Sequence, residues 1–529
     1  MANKWLSADL KAIQDRYQVG QLAASLIANR HLDEKQIEEL MHPGSLKISE
    51  APCVRDACER IFDAKEMGEK VFVAGDYDAD GVMATTIMKY TLDQLGIENG
   101  YYIPDRVKDG YGLNVKMVEM AVERGYSLLI TVDNGVHAHE ALQRADELGI
   151  DVIVTDHHTM DEKVLAEWIV HPSMMEEDYM YCSGASVALQ LSMRLIGIQP
   201  YLVSLAMIAA IGDVMEVWKQ TRVIIREGLR YLNEQHFAPI MALVGDRDID
   251  EETISFYVVP KINAVSRLCD RGNVNNLVRF FLATDPLSVQ HFAAQLEELN
   301  EERKALSSRM VIKAGRMVDD HPVQVIFDES FHEGIVGLAA GHLARDLNQP
   351  VLVLTRSEGL IKGSGRSIDG FDLYAFMNEC FEDYAAFGGH PGAVGLSVRE
   401  KDFELFKASV YEKAEQIDFS SCVSETEVYE VDSLRLKDVL ELDRFRPFGH
   451  GFAKPVFGLR DCRIVRSQLL KGRYPKYVFD KDGVFEGIDF SGHIRSDVRH
   501  GRKVAGELTI NEFRGAQSIQ MRLLELEDE

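Results

Sequence analysis

The stretch VFVAGDYDADGVMAT, residues 71–85, decides how this sequence folds. It begins with an apolar run of β type and continues into three carboxylates at alternate positions, Asp76, Asp78 and Asp80, with Gly81 directly after them. Like charges this close repel one another unless a positive charge lies between them. The stretch therefore predicts a buried strand that ends at a cation site.

The same pattern opens the calcium-binding loop of an EF-hand, which needs a glutamate at its twelfth position and a helix before it. Here the twelfth position is Ile87, and the residues before the aspartates are of β type. The EF-hand interpretation therefore fails on both requirements. A solvated acidic turn remains the alternative for this stretch alone, so the rest of the chain has to decide.

Composition limits the classes of protein to consider. The chain has 529 residues, enough for several domains of about 150 residues each. Hydrophobic residues make up 46%, no apolar run reaches the ~18 residues of a membrane span, and the N-terminus lacks the apolar core of a signal peptide. The seven cysteines form no C-x-x-C pair, so we expect a cytoplasmic protein without a structural zinc site. The net charge of −27 argues against a generic nucleic-acid coat, but not against a nucleic-acid enzyme with a local basic groove.

Strand and helix patterns alternate over residues 51–235. Apolar strands separated by amphipathic helices predict a doubly wound parallel sheet with both faces covered, and such sheets bind ligands at the carboxyl ends of their strands. Three predicted strands end in GDYDADG, VDNG and DHH, and the apolar segment LAMIAAIGDVMEV is counted as a fourth. One aspartate alone is as easily a helix cap or a turn residue, but four such ends favour a shared crevice. The predicted crevice gathers Asp76, Asp78, Asp80, Asp133, Asp156, His157, His158 and Asp213.

Carboxylates and imidazoles around one crevice are typical ligands of a divalent cation, and the imidazoles favour Mn²⁺ over the all-oxygen sites that suit Mg²⁺. Two such ions about 4 Å apart hold the attacking water and the leaving oxygen of a phosphoester. Asp133 is the candidate bridge between them. The sequence contains no G-x-x-x-x-G-K-[ST] loop, so it does not indicate ATP use.

The pattern changes after residue 235. Residues 285–318 predict one long charged helix, either simply packed or a rigid spacer between domains. A second α/β unit follows with two glycine-rich segments, GSGRSIDGFDL and FGGHPGAVGLSV, which carry Ser364, Arg366 and His390. Glycine allows backbone amides to approach a phosphate and arginine supplies a charged fork, so we expect two loops that contact substrate. Tight turns explain the glycines equally well.

Short strands and turn signals from about residue 425 predict an all-β domain, a small barrel. Its segment LLKGRYPKYVF interleaves basic and aromatic residues, among them Lys471, Arg473 and Tyr474. Cations neutralise a phosphate backbone and aromatic rings stack on bases, so this segment suits a single-stranded nucleic acid. An exposed polar hairpin is the alternative.

Together these segments resemble the DHH phosphoesterase superfamily and, within it, the RecJ-type exonucleases. The resemblance rests on motifs in the same order as in that family: GDYDADG, IPDRVKDGYGLN, VDNG, TDHH, CSGASVA, IGDV, INAVSR, HEGIVGLAAGHLA, GSGRS, GGHPGAVG and RPFGHGFAKPVF. It implies a multidomain α/β protein in which DNA threads through a narrow hole between two domains. The implied parts are an N-terminal helical segment (1–50), a DHH catalytic domain (51–235), a helical connector (236–318), a DHHA1 domain (319–415) and an OB-fold (425–529).

The resemblance also implies an activity, a metal-dependent 5′-to-3′ exonuclease on single-stranded DNA in recombination or repair, with two Mn²⁺ or Mg²⁺ ions. The implied metal ligands are Asp78, Asp80, Asp133, His157 and Asp213. The implied catalytic residues are Asp76, Asp133 and His158, with His158 near the scissile phosphate. The implied substrate contacts are Arg106, Arg267, Ser364 and Arg366 at the 5′-terminal phosphate and His390 of the Gly-Gly-His motif, and the barrel adds Lys471, Arg473 and Tyr474.

Two other functions stay open. A degenerate DHH scaffold would bind single strands without cutting them, but such scaffolds lose acids that this chain keeps. A DHH phosphodiesterase for short oligonucleotides or cyclic dinucleotides resembles only the first two domains, and the barrel favours a longer substrate. We expect a monomer without membrane association, with single-stranded DNA as its partner and a single-strand-binding protein and a helicase as further candidates. The residues themselves do not distinguish DNA from RNA.

Overall fold

The computed structural model describes residues 2–107, 109–160, 163–419, 422, 425–490 and 500–528. The strands are, in chain order, β1 (Ala2–Leu6), β2 (Val71–Ala74), β3 (Asn99–Tyr102), β4 (Leu128–Val132), β5 (Asp151–Thr155), β6 (Trp168–Val170), β7 (Gln324–Phe327), β8 (Val351–Ser357), β9 (Leu360–Arg366), β10 (Ala386–His390), β11 (Ala393–Arg399), β12 (Glu425–Glu430), β13 (Val456–Leu470), β14 (Tyr474–Asp480), β15 (Val484–Ile488), β16 (His500–Phe513) and β17 (Ala516–Glu527). The helices are α1 (Lys11–Tyr17), α2 (Gln21–Asn29), α3 (Glu34–Met41), α4 (Pro52–Met67), α5 (Ala79–Leu95), α6 (Val115–Glu123), α7 (His139–Leu148), α8 (Gly184–Ile196), α9 (Pro200–Gly212), α10 (Lys219–Gln235), α11 (Ala238–Val244), α12 (Glu251–Thr253), α13 (Val259–Arg267), α14 (Asn275–Phe281), α15 (Pro286–Gly315), α16 (Val336–Leu347), α17 (Leu373–Cys380), α18 (Phe403–Ala414) and α19 (Leu436–Glu441). A π-helix spans Ile254–Val258.

The chain divides into two compact units. The smaller unit comprises Met1–Ser45, Glu216–Trp218 and Glu425–Glu529, and the larger unit comprises Leu46–Met215 and Lys219–Ser424. Among the described residues, no helix is both long and apolar enough to cross a membrane.

The first sheet of the larger unit is parallel throughout, with the strand order β3-β2-β4-β5-β6. Its central strands β2, β4 and β5 are runs of apolar and β-branched residues, the composition of strands that are buried on both faces. One face packs on α6 and α7, where Phe72 and Leu129 meet Val118 and Leu142, and α5 and α8 cover the other face. The predicted doubly wound sheet is confirmed. The outer strands β3 and β6 escape prediction because they are short and only partly buried.

The second sheet of the larger unit has the order β10-β11-β9-β8-β7. The two glycine-rich segments predicted as loops belong to it, since Gly363–Arg366 lies in β9 and Ala386–His390 is β10. The prediction of loops is therefore wrong for these strand residues, whereas residues 367–372 of the first segment do form a loop. The glycines serve close strand packing instead: a Cβ at Gly363 would lie 2.4 Å from the carbonyl oxygen of Val353 on the adjacent strand.

A helical segment connects the two sheets in sequence, and the long helix predicted over residues 285–318 is confirmed as α15. Its N-cap Asp285 accepts a hydrogen bond from the Ser288 amide. The helix packs along α13, and the ion pair between Lys261 and Glu297 at 2.6 Å joins them. This packing fixes α15 beside the segment that carries Arg267.

The smaller unit is built on the sheet β1-β12-β13-β14-β15-β17-β16, and β13 also pairs with β16, which closes the last five strands into a barrel. The predicted all-β barrel of OB type is confirmed, with α19 as a helical addition. Residues 491–499 and 529 of the predicted domain lie outside the described residues.

The prediction of a purely helical N-terminal segment is wrong for residues 2–6, which form β1 and pair in parallel with β12. Trp5 secures this strand, because its indole Nε1 donates to Glu525 at 3.1 Å. The indole also packs so closely on β13 that a Cβ at Gly458 would lie 2.5 Å from it. A strand whose partners lie at the other end of the sequence leaves no local signal.

Candidate metal and active site

The carboxyl ends of β2, β4 and β5 meet at one edge of the parallel sheet and bring the predicted acid and imidazole side chains together. Their ligand atoms form three groups in which all atoms lie within 4.8 Å of one another. The groups are Asp133 with His157 and His158, Asp80 with His157 and Asp213, and Asp76 with Asp78 and Asp133. We call these residues the carboxylate cluster. One expectation about them is wrong, because Asp213 follows the helix α9 rather than a strand.

Asp133 lies at the centre of the carboxylate cluster in a strained conformation. Its φ of 63° is rare for a residue other than glycine. Its amide donates to the Thr155 carbonyl at 3.0 Å, and its carbonyl accepts from the Tyr111 hydroxyl at 3.0 Å. Its Oδ1 is buried and has no hydrogen-bond partner among the described residues. A buried, strained residue with an unsatisfied oxygen is typical of a functional site.

Backbone amides fix the two carboxylates that open α5. Asp78 is the N-cap and accepts from the amides of Asp80 at 2.9 Å and Gly81 at 3.1 Å. Asp80 accepts from the amides of Gly184 and Ala185 at the start of α8, each at 2.7 Å. Burial, followed by the charge of Asp78, raises the pKa of Asp80 to about 6 despite these amides. The amides set the direction of both carboxylates without neutralising them.

The other members of the carboxylate cluster carry the same electrostatic stress. Burial, followed by the charge of Asp80, raises the pKa of Asp133 well above its usual range. Burial and the charge of Asp78 do the same to the pKa of Asp76, whose Oδ1 also has no partner among the described residues. Partial burial, followed by Asp80, raises the pKa of Asp213 to about 8. Burial and the neighbouring carboxylates thus both disfavour the charged forms, and a bound cation would stabilise them.

His157 completes the ligand set. Burial lowers the pKa of its imidazole to about 3, so the ring is neutral and keeps a lone pair. Its Nε2 lies 3.2 Å from Asp133 Oδ1, 3.5 Å from Asp213 Oδ2 and 3.6 Å from Asp80 Oδ2. This nitrogen has no hydrogen-bond partner within the described part of the chain. Carboxylates and a neutral imidazole whose free atoms converge are a fitting site for a divalent cation.

His158 is in a different state from its neighbour. Its Nδ1 lies 2.8 Å from Asp156 Oδ1. Burial opposes the charge of the imidazole, but the hydrogen bond and the charge of Asp156 prevail and raise its pKa to about 9. In Asp156, burial opposes the charge of the carboxylate as well, yet the same pairing with His158 lowers its pKa to about 2. His158 is therefore a charged donor at the side of the cluster.

Sequence reasoning assigned no role to three residues that hold this site. Asp156 orients His158, and its only signal is its place in the Asp-His-His triplet. The Tyr111 hydroxyl lies 3.2 and 3.3 Å from the two ring nitrogens of His158. The Asn134 side chain donates to the Ala74 and Val132 carbonyls at 3.1 and 2.9 Å, which ties the ends of β2 and β4 together.

Four guanidinium groups, which we call the arginine cluster, lie beside the carboxylate cluster: Arg106, Arg267, Arg303 and Arg366. Burial, followed by repulsion from the other three, lowers the pKa of Arg267 to about 9, while Asp78 acts in the opposite direction. Burial, followed by Arg106, lowers the pKa of Arg366 as well. Among the described residues none of the four has a carboxylate at ion-pair distance. Uncompensated guanidinium groups at close range favour an anion between them.

The start of α16 closes this site. Arg366 Nη1 donates to Ser364 Oγ at 2.8 Å. A Cβ at Gly337 would lie 3.2 Å from both Arg366 Nη2 and Ser364 Oγ, and a Cβ at Gly334 would lie 2.0 Å from the Arg267 carbonyl oxygen. The helix start therefore packs against both arginines.

The remaining predicted substrate residues belong to neither cluster. His390 stands opposite Ala393, which stands opposite Arg366, so His390 is two strand spacings, about 10 Å, from Arg366. Lys471, Arg473 and Tyr474 belong to the smaller unit, at the turn between β13 and β14. The Arg473 guanidinium lies 5.1 Å from the centre of the Tyr474 ring.

Three parts of the chain match known domain families, and nearly the whole chain matches known proteins and a solved structure. Residues 70–212 match the DHH family, N-terminal domain, residues 320–416 the DHHA1 domain, and residues 427–525 the RecJ OB domain. The chain is 30% identical to the single-stranded-DNA-specific exonuclease RecJ of Bacillus subtilis over 97% of this chain and 69% of that protein. It is 30% identical to the Escherichia coli protein of the same name over 94% of both chains. The crystal structure of RecJ in complex with Mn²⁺ from Thermus thermophilus matches with a TM-score of 0.85 at 26% identity, over 99% of this chain and 80% of that chain.

Proposed function

The chain belongs to the RecJ family of single-stranded-DNA-specific exonucleases, and we propose that it is a metal-dependent exonuclease that hydrolyses single-stranded DNA from its 5′ end. One observation carries the proposal. The free atoms of Asp133 and His157 converge in a carboxylate cluster that lies directly beside the arginine cluster. A cation site next to a phosphate site is what hydrolysis of a phosphodiester requires.

The residues of the carboxylate cluster fit Mn²⁺ or Mg²⁺, and the proposed ligands are Asp78, Asp80, Asp133, His157 and Asp213. Asp133 belongs to two of the three ligand groups, which supports its proposed place between two ions. When bound, such ions activate water and stabilise the charge that develops on the phosphate. The relative from Thermus thermophilus is a complex with Mn²⁺, which supports the choice of metal.

The chain's own groups then orient the reacting atoms. Asp133, Asp76 and His158 are the proposed catalytic residues. Asp76 faces the same crevice with a free Oδ1 and is the proposed acceptor for a proton of the attacking water. His158, kept charged by Asp156, is the proposed donor to a non-bridging oxygen of the scissile phosphate. The Tyr111 hydroxyl limits the rotation of the His158 ring.

The arginine cluster supports the proposed 5′ polarity. Arg106, Arg267, Ser364 and Arg366 are the proposed contacts of the 5′-terminal phosphate, whose dianion matches several guanidinium groups. A terminus held beside the carboxylate cluster places a bond near the 5′ end for cleavage.

The residues outside these two clusters are proposed to hold the rest of the strand. His390 on β10 extends the phosphate site along the second sheet. Lys471, Arg473 and Tyr474 offer two cations and an aromatic ring to the backbone and bases. From the family membership we also propose a monomer that acts in the cytoplasm in recombination or repair, on strands supplied by a helicase and a single-strand-binding protein.

The test is degradation of a long single-stranded DNA, labelled at either end, with Mn²⁺. We expect short products with the 5′ label to appear first, no products from Asp133→Ala, and wild-type behaviour from Asp93→Ala. Asp93 is a matched control, because it is a carboxylate of the same domain that pairs with Lys89 outside the site. A wild type that binds the strand and leaves it intact with both Mn²⁺ and Mg²⁺ would favour the non-catalytic scaffold. Cleavage confined to dinucleotides would favour a phosphodiesterase for short substrates.

A further inference from the structure

Arg303 is the one member of the arginine cluster that no sequence motif indicated. It lies on α15, the helix that connects the two sheets in sequence. Its neighbours on that helix form ion pairs with α13 and the turn after it, Glu297 with Lys261 at 2.6 Å and Glu302 with Arg271. Arg303 differs from them, because the described residues offer it no carboxylate at ion-pair distance.

Asn300 holds the Arg303 guanidinium in one orientation. Its side-chain oxygen accepts from Nε at 3.1 Å and from Nη2 at 2.9 Å. Asn300 is itself 3% exposed, so this contact is fixed by its packing. Nη1 has no acceptor in the described part of the chain and stays available to a ligand. Burial lowers the pKa of Arg303, and the charge of Glu301 opposes this shift only in part.

Arg303 lies on the face of α15 that also carries Leu299, Leu306 and Met310, and these three side chains pack in one apolar cluster with Leu268, the residue after Arg267. There it joins Arg106 and Arg366 among the charges that repel Arg267. Four guanidinium groups carry more positive charge than one terminal phosphate neutralises, since a phosphate monoester has a charge of about −1.5 to −2 near neutral pH. The excess indicates a second phosphate in the same site.

We propose that Arg303 binds the phosphodiester that follows the 5′-terminal phosphate and that Asn300 is its positioning residue. The inference rests on the proposed function, because its ligand is the backbone of a single strand. It makes the connecting helix part of the substrate site. The proposal also distinguishes the role of Arg303 from that of Arg366. The internal phosphodiester, which is the proposed ligand of Arg303, is present whether or not the 5′ end is phosphorylated.

The experiment measures the affinity for a short single strand, fluorescent at its 3′ end and carrying either a 5′-phosphate or a 5′-hydroxyl, in EDTA and over a series of salt concentrations. We expect Arg303→Gln to raise the Kd about tenfold or more for both strands, the loss of one charge-assisted hydrogen bond. The slope of log affinity against log salt should fall by about 0.7, as for one lost phosphate contact on a single strand. Asn300→Ala should raise the Kd for both strands by a smaller factor. It should leave the slope of log affinity against log salt unchanged, since the charge of Arg303 remains.

Arg309→Gln is the matched control, because Arg309 is an exposed arginine of the same helix, and its affinity and slope should equal those of the wild type. Wild-type affinity and slope in Arg303→Gln would overturn the proposal, and so would a loss confined to the 5′-phosphorylated strand. If circular dichroism shows that Arg303→Gln is unfolded, the test uses Arg303→Lys instead. The proposal requires that Arg303→Lys binds the strands more weakly than the wild type and has the same salt slope. A wild type that binds the strand but cuts no DNA would refute the proposed function and leave this comparison intact, since binding is measured without metal.

Discussion

Replacing Gly184 with alanine tests how tightly the carboxylate cluster depends on the start of α8. A Cβ at this position would lie 2.4 Å from Asp133 Oδ1, 2.5 Å from its Cβ and 2.7 Å from its Cα. Because the backbone of Asp133 is part of the contact, rotation of its side chain does not relieve it. The amide of Gly184 also holds Asp80 at 2.7 Å, so any shift of the helix start moves a second carboxylate.

The size of the effect follows from these distances. Real Cβ atoms essentially never approach another heavy atom closer than 3.0 Å, so the Asp133 contact has to open by about 0.6 Å. Overpacking of this kind costs about 1–3 kcal/mol of stability. A displacement approaching 1 Å in a catalytic group costs on the order of 10²-fold in rate. We therefore expect Gly184→Ala to fold, with a kcat lowered by about 10- to 100-fold and a higher Mn²⁺ concentration for half-maximal activity.

The assay is degradation of a 5′-labelled single strand over a Mn²⁺ titration, with thermal unfolding measured on the same samples. Gly487→Ala is the control, since a Cβ there would lie 2.6 Å from the Phe479 ring in the smaller unit. This variant should lose stability and keep the Mn²⁺ midpoint. A Gly184→Ala enzyme with wild-type kcat and Mn²⁺ midpoint would refute the reasoning, because the displacement that the new Cβ forces would then leave the cluster fully functional.

Three further measurements examine other parts of the molecule. Mn²⁺ at about 100 times its Kd should stabilise the wild type by about 2.7 kcal/mol and raise its Tm relative to EDTA, whereas Asp133→Asn should gain much less; equal shifts would place the metal elsewhere. Tyr474→Ala should weaken the binding of long single strands by about 1–3 kcal/mol, one lost stacking contact, and leave the turnover of dinucleotides unchanged; wild-type affinity in a fluorescence titration would show that the ring does not meet a base. Trp5→Ala should lower the stability of the smaller unit by about 2–4 kcal/mol in urea unfolding, because it removes the ring packed on Gly458 and the donor to Glu525; a loss below about 0.5 kcal/mol would mean that β1 is not held by this side chain.

The parts of the fold that the sequence predicts correctly are those with a strong local signal. The strands β2, β4 and β5 are mostly apolar and β-branched, and acid or imidazole groups follow each of them within two residues. The rule that parallel strands end at one edge then places Asp76, Asp133 and His157 together without further information. The edge strands β3 and β6 are too short and too exposed to give such a pattern.

The parts that the sequence does not predict depend on contacts between distant segments. Asn134 matters because it joins the Ala74 carbonyl to the amide of Leu113, and no spacing rule connects those positions. In the sequence, Arg303 is one of many charged residues on a long polar helix. Only the packing of α13 beside α15 shows that it differs from the others. Glycine in GSGRS indicates a turn as readily as close packing between strands, so the sequence alone favours a loop where the structure has β9.

The pairing of β1 with β12 also has a consequence for biosynthesis. The ribosome makes Glu425–Glu430 about 420 residues after Ala2–Leu6. At about 5–20 residues per second, this first strand waits roughly 20–80 s for its partner, with an unpaired edge and an exposed indole. During that interval, the strand can pair with β12 of another molecule whose own β1 has not yet docked. We therefore expect crowded synthesis or rapid refolding at high concentration to yield dimers that have exchanged their N-terminal strands.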